Sequence, residues 1–244
     1  MNPHTKLHGA IFDVDGVLVA SPHERAWREA LAGYADPRRF TTQFYQSCVA
    51  GKRRSDGAYA TLKELDVPNA SECASEYAEK KQAIIDHLIE TGQFEAFPDA
   101  VRFAAALRGA GLKLALASSS KNADAMLMRL SLPNGRTLLS IFSADLSGHE
   151  VSKGKPDPEL FLLAAEALAI PPAECVVIED APAGICAARD GGMASVGIAR
   201  LDDDDLLKNA GADLVVNSLD QVDVKALKRG ALRTHRVAEH VGHA

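Results

Sequence analysis

The second half of the chain alternates short apolar runs with segments of helical periodicity. Each short run is bounded by glycine or polar residues, which is typical of a buried strand. Such strands are predicted at residues 8–13, 112–117, 175–180, 194–199 and 213–216. Helices are predicted at residues 101–111, 121–132, 157–170 and 182–192. Strands that alternate with helices in this way predict an α/β fold, a doubly wound parallel sheet of the Rossmann-like type.

The predicted strand at residues 8–13 is separated from the other strands by a block with only helical patterning. Ser21-Pro22-His23-Glu24 predicts a helix start, with Ser21 as N-cap and Pro22 at the first helical position. Further along, residues 71–90 carry apolar side chains at helical spacing. This block therefore lies in the connection that follows the first strand.

These patterns predict a core interrupted by an inserted helical domain. The α/β core comprises residues 1–20 and 93–222, and the helical insertion comprises residues 21–92. Residues 223–244 form a basic C-terminal tail, expected to be a surface helix or a frayed end, with no metal role for its histidines. Those histidines are His235, His240 and His243.

Composition narrows the class of protein. The chain has 244 residues, 47% hydrophobic and 25% charged, and its 27 basic and 33 acidic residues give a formal charge of −6. These values are typical of a folded globular protein rather than a disordered one. An acidic chain without a basic stripe argues against binding to nucleic acid or an anionic membrane. A small molecule is the expected partner.

Cysteine spacing and hydropathy bear on the compartment. The four cysteines form no CxxC pair and have no Cys/His metal-ligand spacing, so a disulfide framework is not expected. No apolar run approaches the ~18 residues of a membrane span, and the N-terminal run is too short for a signal peptide. A cytoplasmic protein is expected, as a monomer or weak homo-oligomer. The acidic run at residues 202–205 is expected to start a helix rather than to bind metal.

Polar residues cluster where the predicted strands end. Asp13 and Asp15 follow the first strand, Ser118 follows the second, and Glu179 and Asp180 end the third. In open parallel sheets the ligand site lies beyond the carboxyl ends of the strands, so these side chains are expected to converge. Several carboxylates there require a compensating charge, and oxygen ligands of this kind suit Mg²⁺.

The same clusters contain groups that bind phosphate. The Ser118 hydroxyl and the backbone N–H groups at the start of the next helix can hold an anion, and Lys155 adds a positive charge. Carboxylates, a divalent cation and a lysine are the usual parts of a phosphoryl-transfer site. The sequence therefore predicts an enzyme that acts on a small phosphorylated metabolite.

Four motifs in this order resemble the haloacid dehalogenase-like superfamily, in particular its capped phosphatases and β-phosphoglucomutase-like enzymes. They are FDVDGVL at 12–18, LASSSKN at 116–122, GKPDPELF at 154–161 and IEDAPAGI at 178–185. The resemblance extends over about residues 8–200. It implies a Rossmann-like core with a helical cap, and the helical block at 21–92 is where such a cap would lie.

The resemblance implies catalytic roles for the residues of these motifs. Asp13 would be the nucleophile that forms an aspartyl-phosphate, and Asp15 the general acid and then the general base. Ser118 and Lys155 would bind the phosphoryl group. Ser119 and Lys121, from the same motif as Ser118, are expected to bind substrate.

A metal site is also implied by the resemblance. Asp13, the backbone carbonyl of Asp15, and Asp180 would hold Mg²⁺, and Glu179 would assist directly or through water.

Three residues of the helical block are candidates for substrate contact. His23 lies four residues before Trp27 on the inner face of its helix, and the family pattern places such a histidine near the general acid. Arg54, in GKRRSDG at 51–57, matches the cap arginine that grips a second phosphate in the mutase. Lys81 shares an apolar helical stripe, whereas Lys80 points about 100° away. A core histidine, a solvated arginine and a snorkelling lysine are the alternatives.

Phosphomonoester hydrolysis, with a sugar phosphate as substrate, is the expected activity. A β-phosphoglucomutase-like reaction is the alternative, in which a sugar hydroxyl replaces water as acceptor. Dehalogenation needs no metal, so Asp15 and the Glu179-Asp180 pair argue against it. A non-catalytic phosphate-binding protein would be expected to lack Asp13 or Asp15. A P-loop is excluded, because Pro156 stands where GxxxxGK[ST] requires Ser or Thr.

Overall fold

The computed structural model describes residues 5–132 and 135–235. Within them, six parallel strands form one sheet in the order β5-β4-β1-β6-β7-β8. In chain order these strands are β1 (Gly9–Phe12), β4 (Lys113–Leu116), β5 (Ala144–Asp145), β6 (Cys175–Glu179), β7 (Ala194–Ile198) and β8 (Leu214–Val216). The chain order reverses beside β1, so the predicted doubly wound α/β fold is confirmed.

Helices cover both faces of this sheet. Those that connect its strands or follow the last one are α5 (Pro98–Gly109), α6 (Ala123–Leu127), α7 (Glu159–Leu168), α8 (Pro182–Asp190), α9 (Asp204–Ala210) and α10 (Val224–Lys228). Because side chains alternate along a strand, Phe12 packs into the apolar cluster on one face and Ile11 into the cluster on the other. Burial on both faces explains why β1 is entirely apolar.

The helices between β1 and β4 have an apolar cluster of their own. They are α1 (His23–Ala30), α2 (Thr42–Cys48), α3 (Arg54–Glu64) and α4 (Ala70–Glu90). Trp27, Phe40 and Tyr77 are buried in this cluster, and the Trp27 and Tyr77 rings lie 5.2 Å apart between centroids. Residues 21–92 are called the helical segment below.

Two short strands join the helical segment to the sheet. β2 (Val19–Ala20) enters it and β3 (Glu95–Ala96) leaves it, and the two pair antiparallel with Val19 opposite Ala96. Neither strand was predicted, because two residues are too short to show any periodicity. The same holds for β5, which also lacks a sequence signal.

Two local helix predictions are wrong. Pro22, not Ser21, occupies the N-cap position of α1, and no side chain caps that end. Glu24, in the first turn, pairs with Arg28 and accepts a hydrogen bond from Thr42 Oγ1. The helix predicted at residues 121–132 is confined to Ala123–Leu127. Beyond α6 the chain pairs with itself instead, since the Leu138 N–H donates to the Leu130 carbonyl at 2.8 Å and a bridge joins Ser131 to Thr137.

The structure also describes the acidic run at residues 202–205 and the first part of the C-terminal tail. Asp203 precedes α9, so the run at residues 202–205 does start a helix, as predicted. In the tail, α10 buries Ala226 and Leu227, and a bridge joins Val222 to Thr234. His235 is exposed, whereas His240 and His243 lie outside the described residues. No helix in the described ranges has the length and hydropathy needed to cross a bilayer.

Candidate active site

A cavity of about 390 Å³ opens where the sheet meets the helical segment. That volume lies in the range of small-molecule sites. The loops after β1, β4 and β6 form its floor, and α1, α3 and α4 form its roof. The predicted site residues among its lining side chains are Asp13, Asp15, His23, Arg54, Lys81, Ser118, Ser119, Lys121 and Asp180.

A lysine that does not itself line the cavity joins two buried carboxylates, of which only that of Asp13 belongs to the lining. Lys155 Nζ donates to Asp13 Oδ1 at 2.6 Å and to Glu179 Oε1 at 2.9 Å, and all three side chains are almost inaccessible to solvent. Burial acts to lower the pKa of Lys155, but the two carboxylates outweigh it and raise that pKa. Lys155 is therefore a permanent cation beside Asp13.

One lysine does not balance the acidic charge of the floor. Burial raises the pKa of Asp13 to about 7, with Glu179 and Asp15 adding to the rise against the effect of Lys155. Burial and the neighbouring Glu179 also raise the pKa of Asp180 well above its ordinary value. A site with these unbalanced acids calls for a further positive charge.

Three carboxylates are placed to hold that charge. Oxygens of Asp13, Glu179 and Asp180 all lie within 4.8 Å of one another, and each side chain is buried. Hard carboxylate oxygens are the donors that Mg²⁺ prefers, so the donor set fits this ion. The side chain of Asp15 is not part of this group of three carboxylates.

Two glycines allow the loops to approach these acids closely. Gly16 has φ +82° and packs against the Asp180 carboxylate, which a Cβ at this position would overlap. A Cβ on Gly184, in the first turns of α8, would overlap the Glu179 carboxylate in the same way. Side chains at either position would displace an acid of the cluster.

The loop after β4 lines one side of the cavity. Ser118 is buried and its Oγ accepts from the backbone N–H of Ser120 at 3.2 Å. Ser119 Oγ donates to the Gly51 carbonyl of the helical segment at 3.0 Å. Lys121 lies at the exposed rim, 3.2 Å from Glu150. Ser118 is therefore a buried part of the floor, whereas Ser119 forms a hydrogen bond between the floor and the roof.

His23 and Lys81 form a buried pair in the roof. Lys81 Nζ lies 2.6 Å from His23 Nδ1, and 5.0 Å from the centroid of the Trp27 ring. Burial lowers the pKa of Lys81 to about 7 and that of His23 to about 4. Lys81 is only 2% exposed, so it enters the cavity instead of snorkelling to solvent. Lys80, as predicted, is exposed on another face.

The pair also assigns the histidine tautomer. When Lys81 is protonated its ammonium group can only donate, so Nδ1 of a neutral His23 then accepts from Lys81 and Nε2 carries the proton. Nε2 lies 3.2 Å from Ser120 Oγ and 3.4 Å from Asp15 Oδ1. That Asp15 oxygen is buried and has no hydrogen-bond partner in the described part of the chain.

Arg54 stands farther out than the other roof residues. It is exposed, lines the cavity, and donates to Gln82 Oε1. Gln82 Nε2 in turn donates to Asn122 Oδ1, across the cavity, at 2.9 Å. Arg54 therefore stands at the exposed rim of the cavity.

Sequence patterns did not indicate three residues around this cavity. Tyr45 lines it from α2, and burial together with the nearby Asp15 and Asp180 raises the pKa of its phenol well above the ordinary value. Arg53 crosses from the helical segment to the carbonyls of Val151 and Ser152. Their signals are weak, because an aromatic residue or an arginine in a helical segment is usually structural. The third, Arg200, does not line the cavity but donates a hydrogen bond to the carbonyl of Gly16, the residue after Asp15.

A protein-family model and the sequences of known proteins match most of this chain. The family model described as "haloacid dehalogenase-like hydrolase" matches residues 7–192. The chain is 32% identical to β-phosphoglucomutase of Mycobacterium bovis over 88% of this chain and 90% of that protein. It is 28% identical to hexitol phosphatase A of Escherichia coli over 92% of this chain and 97% of that one.

Solved structures agree with these sequence matches. The crystal structure of an archaeal β-phosphoglucomutase from a hyperthermophilic Pyrococcus superimposes with a TM-score of 0.72. It is 33% identical in sequence, and the match covers 90% of this chain and 96% of the archaeal chain.

Proposed function

Because the chain belongs to the haloacid dehalogenase-like hydrolase family, and is an enzyme of it, we propose that it transfers the phosphoryl group of a small sugar phosphate through an aspartyl-phosphate on Asp13. Relatives named for β-phosphoglucomutase and hexitol phosphatase activity support this substrate class. The observation that carries the proposal is the buried floor of the cavity. There Lys155 lies 2.6 Å from Asp13, beside the acids Glu179 and Asp180.

The first half-reaction uses Asp13 and Asp15. A carboxylate oxygen of Asp13 attacks phosphorus, the bond from phosphorus to the leaving oxygen breaks, and that oxygen takes a proton from Asp15. In the second half, Asp15 accepts the proton of the incoming hydroxyl, which attacks phosphorus and releases Asp13. Asp15 Oδ1 accepts no hydrogen bond in the described part of the chain and lies 3.4 Å from His23 Nε2, which suits this role.

The other floor residues bind and neutralise charge. Lys155 and the Ser118 hydroxyl hold the phosphoryl oxygens as negative charge moves between them. We propose that Asp13, Asp180 and the backbone carbonyl of Asp15 hold Mg²⁺, with Glu179 assisting. When bound, the cation would polarise the phosphoryl oxygens and offset the repulsion between nucleophile and phosphate.

Residues 21–92 are proposed to act as a cap that covers the bound substrate. Ser119 and Lys121 from the core, and His23, Lys81 and Arg54 from the cap, would contact the sugar or its substituents. The hydrogen bond from Ser119 to Gly51 and that from Gln82 to Asn122 hold the two parts together over the cavity. Closure of this kind excludes bulk water from the reacting atoms.

Hydrolysis is the proposed outcome, since water is the simplest acceptor for the second half-reaction. A mutase is the second candidate, and the cations Arg54, Lys81 and Lys121 around the cavity favour it. They could hold a sugar that carries a second phosphate, so that its own hydroxyl replaces water. The core residues act identically in both cases.

One incubation separates the two outcomes. The protein is mixed with Mg²⁺, β-glucose 1-phosphate and a trace of glucose 1,6-bisphosphate, and both products are measured. Release of inorganic phosphate without glucose 6-phosphate supports hydrolysis, whereas glucose 6-phosphate without inorganic phosphate supports the mutase. With no product from this sugar or from a panel of other sugar phosphates, the proposed substrate class would be wrong.

Arg54→Ala tests the contribution of the roof to specificity. We expect kcat/KM for a sugar bisphosphate to fall about 100-fold, since one charge-assisted contact to phosphate contributes roughly 1.5–3 kcal/mol. Hydrolysis of p-nitrophenyl phosphate, which has no second anionic group, should change less than about threefold. Arg38→Ala, at an exposed arginine of the same segment, is the control. Equal losses with both substrates would refute the assignment of Arg54.

A further inference from the structure

We propose that Arg200 is a positioning residue for the reaction, because it ties both linkers of the helical segment to the sheet and so fixes the loop that carries Asp15. This inference rests on the proposed function, in which Asp15 donates and accepts protons. Arg200 lies two residues beyond the carboxyl end of β7, and β7 is the neighbour of the strand that carries Glu179. It lies outside the cavity and touches none of the predicted catalytic side chains.

Arg200 donates hydrogen bonds to two backbone carbonyls of the first linker, residues 16–20, which leads from the sheet into the helical segment. Its Nε donates to the Gly16 carbonyl at 2.9 Å, and its Nη2 donates to the Val17 carbonyl at 3.0 Å. Gly16 is the residue after Asp15, and its own N–H donates to the Val19 carbonyl at 2.9 Å, at the start of β2. The guanidinium therefore holds the turn between the proposed general acid and the linker.

The same guanidinium also contacts the second linker, residues 95–97, which leads from the helical segment back to the core. Its central carbon lies 3.6 Å from the centroid of the Phe97 ring, which is directly after β3. The Phe97 N–H donates to the Leu18 carbonyl at 2.9 Å, so the two linkers are bonded to each other as well. The stacked guanidinium therefore contacts both linkers between the core and the helical segment.

Asp99 orients Arg200 from the first turn of α5. Its carboxylate lies 3.2–3.3 Å from the guanidinium and accepts from the Leu219 N–H at 2.9 Å. Burial acts to raise the pKa of Asp99, but the Leu219 and Arg200 hydrogen bonds outweigh it and lower that pKa. The Arg200 and Asp99 side chains are 14% and 10% exposed. The pair is thus a charged, desolvated anchor.

Only arginine can make this set of contacts. The guanidinium has five N–H donors in one plane and a face that stacks on an aromatic ring, whereas a lysine ammonium has neither geometry. Arg200→Lys therefore keeps the charge beside Asp99 but loses the simultaneous hold on Gly16, Val17 and Phe97. A displacement of about 1 Å in a catalytic group can cost roughly 100-fold in rate.

Phenyl phosphate and p-nitrophenyl phosphate provide a matched test, because they differ little in shape and greatly in their need for a proton on the leaving oxygen. For Arg200→Lys we expect kcat/KM to fall about 30-fold with phenyl phosphate and less than about threefold with p-nitrophenyl phosphate. Loss of fold or of Lys155 and Asp13 function would lower both equally. Equal losses would therefore overturn the inference.

Two further variants make the result specific. Arg102→Lys alters an exposed Arg102–Asp220 pair whose guanidinium makes no hydrogen bond to Gly16 or Val17, and it should leave kcat/KM unchanged with both substrates. Asp15→Asn should show the same substrate selectivity as Arg200→Lys, only larger. If Asp15→Asn lowers kcat/KM equally for the two substrates, the proposed proton transfer to the leaving oxygen is wrong. If it is selective and Arg200→Lys is not, the inference about Arg200 alone is wrong.

Hydrogen exchange tests the anchor without any reference to catalysis. Peptides that cover residues 16–20 and 95–99 should exchange faster in Arg200→Lys than in the wild type, while peptides of β6 should not. Asp99→Asn, which leaves the arginine in place but removes its charged partner, should shift the same two peptides in the same direction. Unchanged exchange at both linkers in both variants would contradict the anchoring role.

Discussion

Replacement of Asp13 by asparagine is expected to lower turnover by at least about 1,000-fold with every phosphomonoester, because the amide oxygen cannot serve as the nucleophile. Folding should be preserved. The amide oxygen can still accept from Lys155, which also keeps its 2.9 Å contact with Glu179. Steady-state kinetics with p-nitrophenyl phosphate and thermal unfolding measure the two effects.

The covalent intermediate gives this prediction a second readout. Acid-quenched wild-type protein should carry a phosphoryl adduct on the peptide that contains Asp13, and the Asp13→Asn variant should carry none. Asp190→Asn, at an exposed carboxylate paired with Arg189, is the matched control and should behave as the wild type does. Appreciable turnover by Asp13→Asn would reject this residue as the nucleophile.

Removal of divalent cations is expected to produce the second large effect, a loss of at least about 100-fold in activity that Mg²⁺ restores. The physical reason is the acidic floor, where Lys155 faces the three buried carboxylates of Asp13, Glu179 and Asp180. Binding to the folded state alone should also stabilise it, by about 2.7 kcal/mol when free Mg²⁺ exceeds its Kd a hundredfold. The melting temperature should therefore rise by several degrees when Mg²⁺ is added to chelator-treated protein.

Asp180→Asn separates metal binding from the other tasks of the floor. Lys155 makes its hydrogen bonds with Asp13 and Glu179, so this variant keeps that network. It should fold, yet show little or no rise in melting temperature with Mg²⁺. Asp205→Asn, at an exposed carboxylate in the first turn of α9, should keep the full rise. An equal rise in Asp180→Asn and the wild type would exclude Asp180 as a ligand.

The core of the site could be predicted from sequence because parallel strands end at one edge of the sheet. Asp13 and Lys155 are 142 residues apart in the chain and 2.6 Å apart in the structure. Each nevertheless stands in a short motif whose place relative to a strand end or helix start is visible in the sequence. The positions that follow such strands are constrained by chain topology alone.

The helical segment was less predictable, because helical periodicity indicates a face but not what that face meets. Lys81 on its apolar stripe was compatible with a snorkelling side chain or with one that enters a cavity. The structure places it 2.6 Å from His23, on a different helix. Likewise, Ser21 has the local chemistry of an N-cap, yet the chain around it is held extended by the pairing of β2 with β3.

The sequence by itself determined the fold class, the order of motifs, and the set of acids and the lysine at the sheet edge, since these follow from periodicity and strand topology. Tertiary structure decided how the parts are held relative to one another. The two-residue strands β2 and β3 and the Arg200 anchor carry no local signal. Their contacts join segments that are distant in the chain, as in the 184-residue separation between Arg200 and Gly16. Such contacts depend on three-dimensional packing, which no pattern along one segment encodes.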